Sequence, residues 1–207
     1  MITFSKQNLT FGAEFDAKKQ QELMKQAQEA TKNSECPRAQ TGAVVVSPDG
    51  EVIGTGWNTI PDEFEVCGKN AGGICPRTNF GIPSGKDYDK SCLAIHAEAR
   101  AIADAGLRNI QKVAGDKGAT LFLAGHTFLC NGCSSMVALA KGIKDIYVQF
   151  KDGDPIKHLS RKELMENLEK SHKANLASLE ATYKKSPATG KAPCGADSCS
   201  HCGCCSK

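Results

Sequence analysis

The 207-residue sequence has no long apolar run and no concentrated basic stretch. No segment approaches the ~20 consecutive apolar residues that a membrane-spanning helix needs, and residues 1–15 lack the apolar core of a secretory signal. We therefore expect a cytoplasmic protein without a membrane partner. The formal net charge is only +3, so we expect no nucleic-acid partner either.

Cysteine, by contrast, is abundant, with 11 residues in the chain. Because no signal peptide is predicted, these cysteines indicate metal ligation and reduced thiols rather than disulfides. The end of the chain holds a dense set of soft metal ligands, namely Cys194, Cys199, His201, Cys202, Cys204 and Cys205. This tail either binds zinc or copper(I) or is a mobile appendage, since no apolar residues accompany it.

The first part of the chain predicts a helix and then a hairpin. Residues 16–33 are rich in helix formers with one apolar face, and residues 41–47 and 51–57 are β-rich runs separated by a Pro-Asp-Gly turn. The irregular stretch 58–91 exceeds the ~12 to 15 residues at which structureless loops become uncommon. We expect this stretch to cover an active site, and the alternative is that its middle is disordered.

The second part alternates helices with strands. We predict a helix over 92–106, a strand over 119–124, a helix over 132–141 and a strand over 145–150. Such alternation predicts parallel strands, and ligands collect where the helices begin. A long amphipathic helix follows at about 160–183, with no further strand expected before it. It either covers the sheet or joins a partner subunit.

Two short motifs carry the chemistry: His96-Ala97-Glu98 and Cys130-Asn131-Gly132-Cys133. One imidazole and two thiolates leave the fourth zinc position open to water, which is typical of a catalytic site. Glu98 can carry the proton of that water. Each motif alone is weak evidence for a zinc site, because His-Ala-Glu could be a chance tripeptide and the two cysteines could be a redox or structural pair. Together, in this order, they predict a zinc enzyme that hydrolytically removes ammonia from an amino-substituted pyrimidine or purine.

Several motifs resemble those of the cytidine and deoxycytidylate deaminase family, and within it the dCMP deaminases. They are S-E-C-P-R-A-Q-T-G-A at 34–43, G-T-G-W-N at 54–58, H-A-E at 96–98, C-N-G-C at 130–133 and K-G-I-K at 141–144. The likeness runs from about residue 34 to residue 150. It covers somewhat more than half of the chain.

The resemblance implies an α/β fold, a three-layer α/β/α cytidine-deaminase-like sandwich with a mixed central sheet. This zinc-dependent deaminase domain would span 1–183, with a linker and the cysteine-rich tail at 184–207. The implied cofactor is one catalytic Zn²⁺, held by the histidine and the two cysteines, and the implied reaction is the conversion of a cytosine nucleotide, most closely dCMP to dUMP. Family members are commonly homo-oligomers, and some are regulated by nucleotides with Mg²⁺.

The resemblance also assigns residues around the core motifs. Asn58 would bind the substrate base or sugar, or it would stabilise a turn beside the nearby proline. Ala97 would offer its backbone amide to the pyrimidine carbonyl. Some dCMP deaminases carry a second, structural zinc, for which Cys67, Cys75 and Cys92 are the candidates here. Ordinary thiols are the alternative.

Three residues depart from the family pattern or add to it. Leu129 stands where a proline usually precedes the first cysteine. Arg100 stands where asparagine is common, and its guanidinium could bind a phosphate or lie in solvent. His126 lies four residues before Cys130 and could face the pocket or form a hydrogen bond in the core.

Two other functions stay open. The first is deamination of a free nucleoside, a nucleobase or another amino-heterocycle. A tRNA adenosine deaminase shares G-W-N and H-A-E, but the connection between them is much shorter in that family, so a small nucleotide is favoured. The second is a metal-storage or redox module that uses the cysteine-rich tail. Glu98 argues against it, because a storage site needs no general base.

Overall fold

The computed structural model describes residues 15–61, 67–68, 72–83 and 91–183. The predicted linker and cysteine-rich tail therefore lie outside the described residues. The chain divides into two compact units, Met1–Leu168 and Glu169–Lys207. The first unit holds the sheet and the predicted site.

Five strands form a mixed sheet in the order β2-β1-β3-β4-β5. They are β1 (Gly42–Val46), β2 (Val52–Trp57), β3 (Ala119–Ala124), β4 (Ile143–Gln149) and β5 (Lys157–Ser160). Strands β1 and β2 form the predicted antiparallel hairpin, and β3 and β4 are parallel as predicted. The β1–β3 and β4–β5 pairs are antiparallel.

Six helices belong to the described part of the chain. They are α1 (Ala17–Thr31), α2 (Pro76–Asn79), α3 (Ala97–Ala105), α4 (Leu107–Ala114), α5 (Asn131–Leu139) and α6 (Arg161–Tyr183). Asp16 begins α1, because its carboxylate accepts a hydrogen bond from the Lys19 amide at 2.7 Å. None of the described helices is both long and apolar enough to span a membrane.

Helices cover both faces of the sheet, because β1 is apolar on both of its sides. Val44 and Val46 pack with Phe122 against the apolar face of α1. Ala43 and Val45 lie on the opposite face, in the cluster that includes residues of α3, α4 and α5. The three-layer α/β/α architecture with a mixed central sheet is therefore confirmed.

Helix α3 approaches β2 unusually closely, because glycine faces alanine across the contact. A Cβ atom on Gly56 would lie 2.3 Å from the Ala97 carbonyl oxygen and 2.4 Å from the Ala101 amide nitrogen. A Cβ atom on Gly54 would lie 2.6 Å from the Cβ of Ala105. The alternation of the strand and the four-residue spacing of the alanines bring these small residues together. The start of α3 is thereby held directly against the strand.

The predicted helix over 92–106 is partly wrong, because α3 begins only at Ala97. Residues 92–96 are not helical, and Ile95 forms an antiparallel bridge with Thr59, with backbone N···O distances of 2.8 and 3.0 Å. This long-range pairing overrides the helix propensity of the Cys-Leu-Ala-Ile run. Gly106 ends α3 as predicted, but it also begins α4, which the sequence did not predict.

The expectation of no strand before the last helix is also wrong. Lys157–Ser160 forms β5, whose Leu159 is buried and pairs with Ile146 of β4. The sequence pattern that would predict this strand is weak, because the strand has only four residues. Directly after it, the Glu163 carboxylate accepts hydrogen bonds from the Ser160 amide at 2.9 Å and the Ser160 hydroxyl at 2.7 Å. This capping box begins α6 near the predicted position.

The beginning of helix α6 packs into the core. Leu164 is fully buried in the core, whereas Leu176 and Leu179 are about half exposed. The Arg161 guanidinium donates to the carbonyl oxygens of Val137 at 2.8 Å and Ala138 at 2.5 Å, near the end of α5. Arginine is well suited there, because the last carbonyls of a helix have no partner within the helix.

Candidate active site

The two core motifs begin two neighbouring helices. His96 is the residue immediately before α3, and Cys130 holds the same position before α5. The Cys130 sulfur accepts a hydrogen bond from the Cys133 amide at 3.3 Å, as a helix-capping side chain does. Helices α3 and α5 contact each other, so the beginnings of both helices contribute to one site.

His96, Cys130 and Cys133 form a cluster whose ligand atoms all lie within 4.8 Å of one another. The Nδ1 atom of His96 is 3.4 Å from the Cys130 sulfur and 3.3 Å from the Cys133 sulfur. A tetrahedral zinc ion with ordinary Zn–S and Zn–N distances needs about 3.6 Å between a nitrogen and a sulfur ligand. The residues therefore fit zinc both in donor chemistry and in spacing.

The charges of the cluster also favour a cation. Hydrogen bonds from Cys133 and His96 lower the pKa of Cys130 to about 4, which makes it a thiolate at neutral pH. Hydrogen bonding to Cys130 and Cys92 raises the pKa of His96 to about 11. The neighbouring Cys130 thiolate, together with burial, raises the pKa of Cys133. A dication here would replace the protons that the three groups otherwise share.

Glu98 lies beside this cluster, one residue into α3 from Ala97 and only 5% exposed. Burial raises the pKa of its carboxyl group, and a hydrogen bond with the Cys133 thiol links it to the ligand cluster. A carboxyl group with a raised pKa exchanges protons more readily near neutral pH than an exposed one does. Glu98 is therefore suited to proton transfer.

One pocket is lined by two of the three cluster residues, by Glu98 and by most of the other predicted residues. Its lining includes His96, Glu98 and Cys130, together with Asn58 and His126. Ala97 and Arg100 are not among the described residues that line this pocket. Ala97 is fully buried at the start of α3, where a helix has amides with no intrahelical acceptor.

The side chain of Asn58 forms three hydrogen bonds to the segment that leads into β1. Its Oδ1 atom accepts from the Thr41 amide at 2.8 Å and from the Ser34 hydroxyl at 2.5 Å, and its Nδ2 atom donates to the Ala39 carbonyl at 2.5 Å. Asn58 is 6% exposed. It organises the pocket wall, and its predicted contact with the substrate stays a prediction.

The residues that depart from the family pattern have distinct surroundings. Arg100 lies over the Trp57 ring at 3.7 Å and donates a hydrogen bond to the Thr59 hydroxyl. Leu129 is buried in the core beneath the helices. His126 packs edge-on against Phe128 with ring centroids 4.6 Å apart, and burial lowers the pKa of its imidazole.

The predicted second-metal cysteines line the same pocket. Cys67 and Cys75 flank an antiparallel bridge between Gly68 and Ile74, which brings the two segments side by side. Cys92 is hydrogen-bonded to His96, which lowers the pKa of its thiol. Burial and the nearby thiols, including that of Cys36, raise the pKa of Cys67. Among the described residues, these thiols are not drawn together as tightly as the core cluster.

Several pocket residues were missed by the sequence analysis. They are Cys36, Arg38, Arg77, Ser91, Phe128 and Phe150. Cys36 and Arg38 belong to the quoted motif at 34–43, so their place in that motif was an available signal. Arg77 carried no such signal, because it lies in the long irregular connection.

The chain is similar in sequence to known deaminases. A family model described as the cytidine and deoxycytidylate deaminase zinc-binding region matches residues 17–150. The deoxycytidylate deaminase of Mycobacterium phage D29 is 35% identical over 121 residues, which cover 56% of this chain and 83% of that protein. The deoxycytidylate deaminase of Schizosaccharomyces pombe is 35% identical over 124 residues, covering 60% of this chain but 34% of that protein.

A solved structure is also similar. The dCMP deaminase of cyanophage S-TIM5 in its apo form is 26% identical, and the match covers 65% of this chain and 85% of that chain with a TM-score of 0.43. Because this structural overlap is low, family membership rests on the sequence match, which includes both zinc-ligand motifs. The chain belongs to the cytidine and deoxycytidylate deaminase family.

Proposed function

We propose that the chain binds one catalytic zinc ion through His96, Cys130 and Cys133 and converts a cytosine nucleotide, dCMP, to dUMP and ammonia. The observation that carries this proposal is the convergence of three ligand atoms beside a buried glutamate, at a pocket that His96, Cys130 and Glu98 line. The choice of dCMP is supported by the deoxycytidylate deaminases that share 35% of their aligned residues with this chain.

The proposed chemistry divides between the metal and Glu98. Zinc held by the three ligands supplies an activated water as the nucleophile at neutral pH. Glu98 accepts a proton as the water oxygen adds to the ring carbon that bears the amino group, and it returns protons to the ring nitrogen and the departing amino group. The C–N bond breaks, a carbonyl forms, and one water is consumed for each ammonia released.

The surroundings of Glu98 suit this double role. Its burial raises the pKa of the carboxyl group, so that the group can both accept and give a proton. Phe128 and Phe150 line the same pocket and offer apolar surface to a flat ring. His126 adds a polar group to the lining of the same pocket, and burial lowers the pKa of its imidazole.

The test is release of ammonia from a panel of dCMP, CMP, cytidine, cytosine and guanine by the full chain. We expect dCMP to be turned over fastest. Glu98→Ala should lower turnover by roughly 10²-fold or more, while about one zinc per chain stays bound at the core. Activity that survives this substitution, or loss of the zinc with it, would contradict the assigned role of Glu98.

The same panel distinguishes the alternatives. Preference for cytidine, cytosine or guanine would indicate a nucleoside, a nucleobase or another heterocycle as the substrate. A metal-storage or redox module would instead lose its activity when residues 192–207 are removed and would tolerate the loss of Glu98. The burial of Glu98 beside the ligand cluster favours the enzyme.

We further propose that a second zinc ion binds the thiols around the Cys67 and Cys75 bridge. Cys92 and Cys36 belong to the same pocket lining, so a set of four thiols surrounds that side of the pocket. Thiolates are preferred ligands of structural zinc, and closure of the set would require their sulfurs to move together. The number of zinc ions per chain tests the second site. Cys67→Ser should lower that number by one, while ammonia release stays detectable. An unchanged zinc content would contradict the second site.

The remaining expectations concern partners and location. A homo-oligomer, regulation by deoxynucleoside triphosphates with Mg²⁺, and a cytoplasmic location are predictions from the family resemblance. Light scattering on the purified full chain measures the first. Titration of deoxynucleoside triphosphates with and without Mg²⁺ during dCMP turnover measures the second.

A further inference from the structure

The first turn of α3 contains an arginine where the helix itself does not favour one. Arg100 is the fourth residue of α3, close to the helix N-terminus, where the partial charge of the backbone amides is positive. In the described part of the chain, the His96 side chain forms no capping hydrogen bond with this helix. The residue before a helix often fixes its start, but here that residue is a proposed metal ligand. Other contacts therefore fix the start of α3, and Arg100 makes some of them.

Arg100 reaches back from α3 to the end of β2. The central carbon of its guanidinium lies 3.7 Å from the centre of the Trp57 ring, which is a cation–π contact. Its Nη1 atom donates a hydrogen bond to the Thr59 hydroxyl. That hydroxyl in turn donates to the Trp57 carbonyl oxygen at 3.3 Å. Arg100 is thus held at two points of one short segment.

The same segment is also bonded to the residue that precedes His96. The Thr59 amide donates to the Ile95 carbonyl at 3.0 Å, and the Ile95 amide donates to the Thr59 carbonyl at 2.8 Å. His96 therefore lies between two attachments to Thr59, one through the Ile95 backbone and one through the Arg100 side chain. We call the contacts among Trp57, Thr59, Ile95 and Arg100 the Arg100 clamp.

The segment that Arg100 contacts is itself firmly held. Asn58 lies between Trp57 and Thr59 in the chain, and its buried side chain forms three hydrogen bonds to the segment that leads into β1. An attachment can orient a ligand only when its other end is fixed, and Asn58 provides that fixed end. The Arg100 clamp therefore joins a rigid part of the structure to the start of α3.

We infer that Arg100 is a positioning residue, which holds His96 in the orientation that metal binding requires. This inference rests on the proposed function, because it takes His96 as a zinc ligand. Arg100 is not among the described residues that line the pocket, so it acts through the clamp rather than on the substrate. Residues that orient a metal ligand without touching the metal typically change metal affinity by about 10- to 100-fold.

The first experiment measures zinc affinity of the full chain by competition with a chelator. Arg100→Gln should lower the affinity roughly 10-fold, the lower end of that range, because Arg100 acts through Thr59 and Ile95. Arg100→Lys should recover part of the loss, since it keeps a charge over the Trp57 ring but lacks the planar fork. Arg108→Gln, an exposed change on α4, should leave the affinity unchanged and controls for net charge. A lower Tm with wild-type zinc affinity in Arg100→Gln would show a merely structural role and overturn the inference.

Thr59→Val tests the same clamp with a milder change. Valine has nearly the shape of threonine and leaves the backbone bridge to Ile95 in place, but it removes the hydroxyl that Arg100 contacts. Zinc affinity should fall less than in Arg100→Gln. If both residues act through this one hydrogen bond, the double variant should lose no more affinity than Arg100→Gln alone. Losses that add in full would contradict the clamp.

Tryptophan fluorescence gives a readout from inside the clamp, because Trp57 is the only tryptophan in the sequence. Binding effects between two linked sites are reciprocal, so zinc should also tighten the clamp. In the wild-type chain, removal of zinc should increase quenching of Trp57 by acrylamide. In Arg100→Gln, quenching should be high both with and without zinc. Wild-type quenching that does not respond to zinc would overturn the inference.

These measurements separate the inference from the proposed function. If the wild-type chain releases no ammonia from any substrate but shows the expected zinc affinities and quenching, the proposed reaction fails and the positioning role of Arg100 stands. If dCMP is turned over but Arg100→Gln has wild-type zinc affinity and wild-type quenching, the reaction stands and the positioning role fails.

Discussion

Replacing Gly56 with alanine should displace the helix that carries Glu98. The new Cβ atom would lie 2.3 Å from the Ala97 carbonyl oxygen, 2.4 Å from the Ala101 amide nitrogen and 3.0 Å from the Ala101 Cα. All three atoms belong to the backbone of α3, so a change of side-chain rotamer cannot relieve the contact. The helix must move away from β2 by about an ångström to restore ordinary van der Waals separations.

The loss of stability expected for Gly56→Ala follows from the rigidity of the contact between β2 and α3. Overpacking a well-packed core costs about 1–3 kcal/mol, and a clash between the β2 strand and the backbone of α3 belongs at the upper end, because no side chain can rotate away. For a domain of this size, about 3 kcal/mol lowers Tm by roughly 6–12 °C. Because His96 and Glu98 move with the start of α3, the same variant should also lose zinc affinity and ammonia release.

The matched control is Gly132→Ala, the same chemical change beside the same ligands. Gly132 lies in the first turn of α5, and the nearest atom to its added Cβ is the Cys130 sulfur at 3.9 Å. Alanine should therefore be tolerated there and raise stability by about 0.4–1 kcal/mol. Thermal unfolding and zinc content are measured on both variants. A Gly56→Ala protein with wild-type Tm and zinc content would refute the close-packing explanation.

Three further changes have defined outcomes. Asn58→Ala removes three hydrogen bonds and should lower the free energy of unfolding by about 2–3 kcal/mol in urea titrations. Arg161→Ala removes the guanidinium that donates hydrogen bonds to the carbonyls at the end of α5. It should lower the free energy of unfolding by about 2 kcal/mol in the same measurement. Removal of zinc with a chelator should abolish ammonia release and lower Tm, and added zinc should restore both.

The controls are conservative variants. Asn58→Asp keeps the acceptor for Thr41 and Ser34 but loses the donor to Ala39, so it should be intermediate between wild type and alanine. Arg161→Lys keeps a charge near the α5 carbonyls and should recover part of the stability. Equal stability of each alanine variant and its conservative partner would contradict these assignments, as would a chelated protein that keeps full activity.

The ligand cluster could be predicted from the sequence because its information is local. His96 and Glu98 are two residues apart, Cys130 and Cys133 are three apart, and each pair begins a helix. Donor chemistry and spacing then suggest the metal without any knowledge of the fold. The hairpin and the parallel β3–β4 pair were predictable for a similar reason, since turn residues and alternating elements are read along the chain.

The errors arose where distant contacts decide the structure. The bridge between Ile95 and Thr59 delays the start of α3, although the preceding residues favour a helix. Strand β5 is short and is defined by its pairing with β4. Arg77 lies in the long irregular connection and lines the pocket only after the chain has folded, so its residue type alone carried no signal. Arg100 was the more conspicuous arginine in the sequence, but Trp57 and Thr59 hold it elsewhere.

The site depends on two helices that are secured in different ways. Helix α3 brings His96 and Glu98 together and is held by its glycine–alanine contact with β2, whereas α5 brings both cysteines and is capped by Arg161 at its far end. A shift of α3 alone would lengthen the His96–sulfur distances of 3.3 and 3.4 Å and would move Glu98 together with His96. Metal affinity and proton transfer should therefore decline together when the β2 contact is disturbed. A change at Arg161 acts on the other end of α5, so it should lower stability more than it lowers zinc affinity.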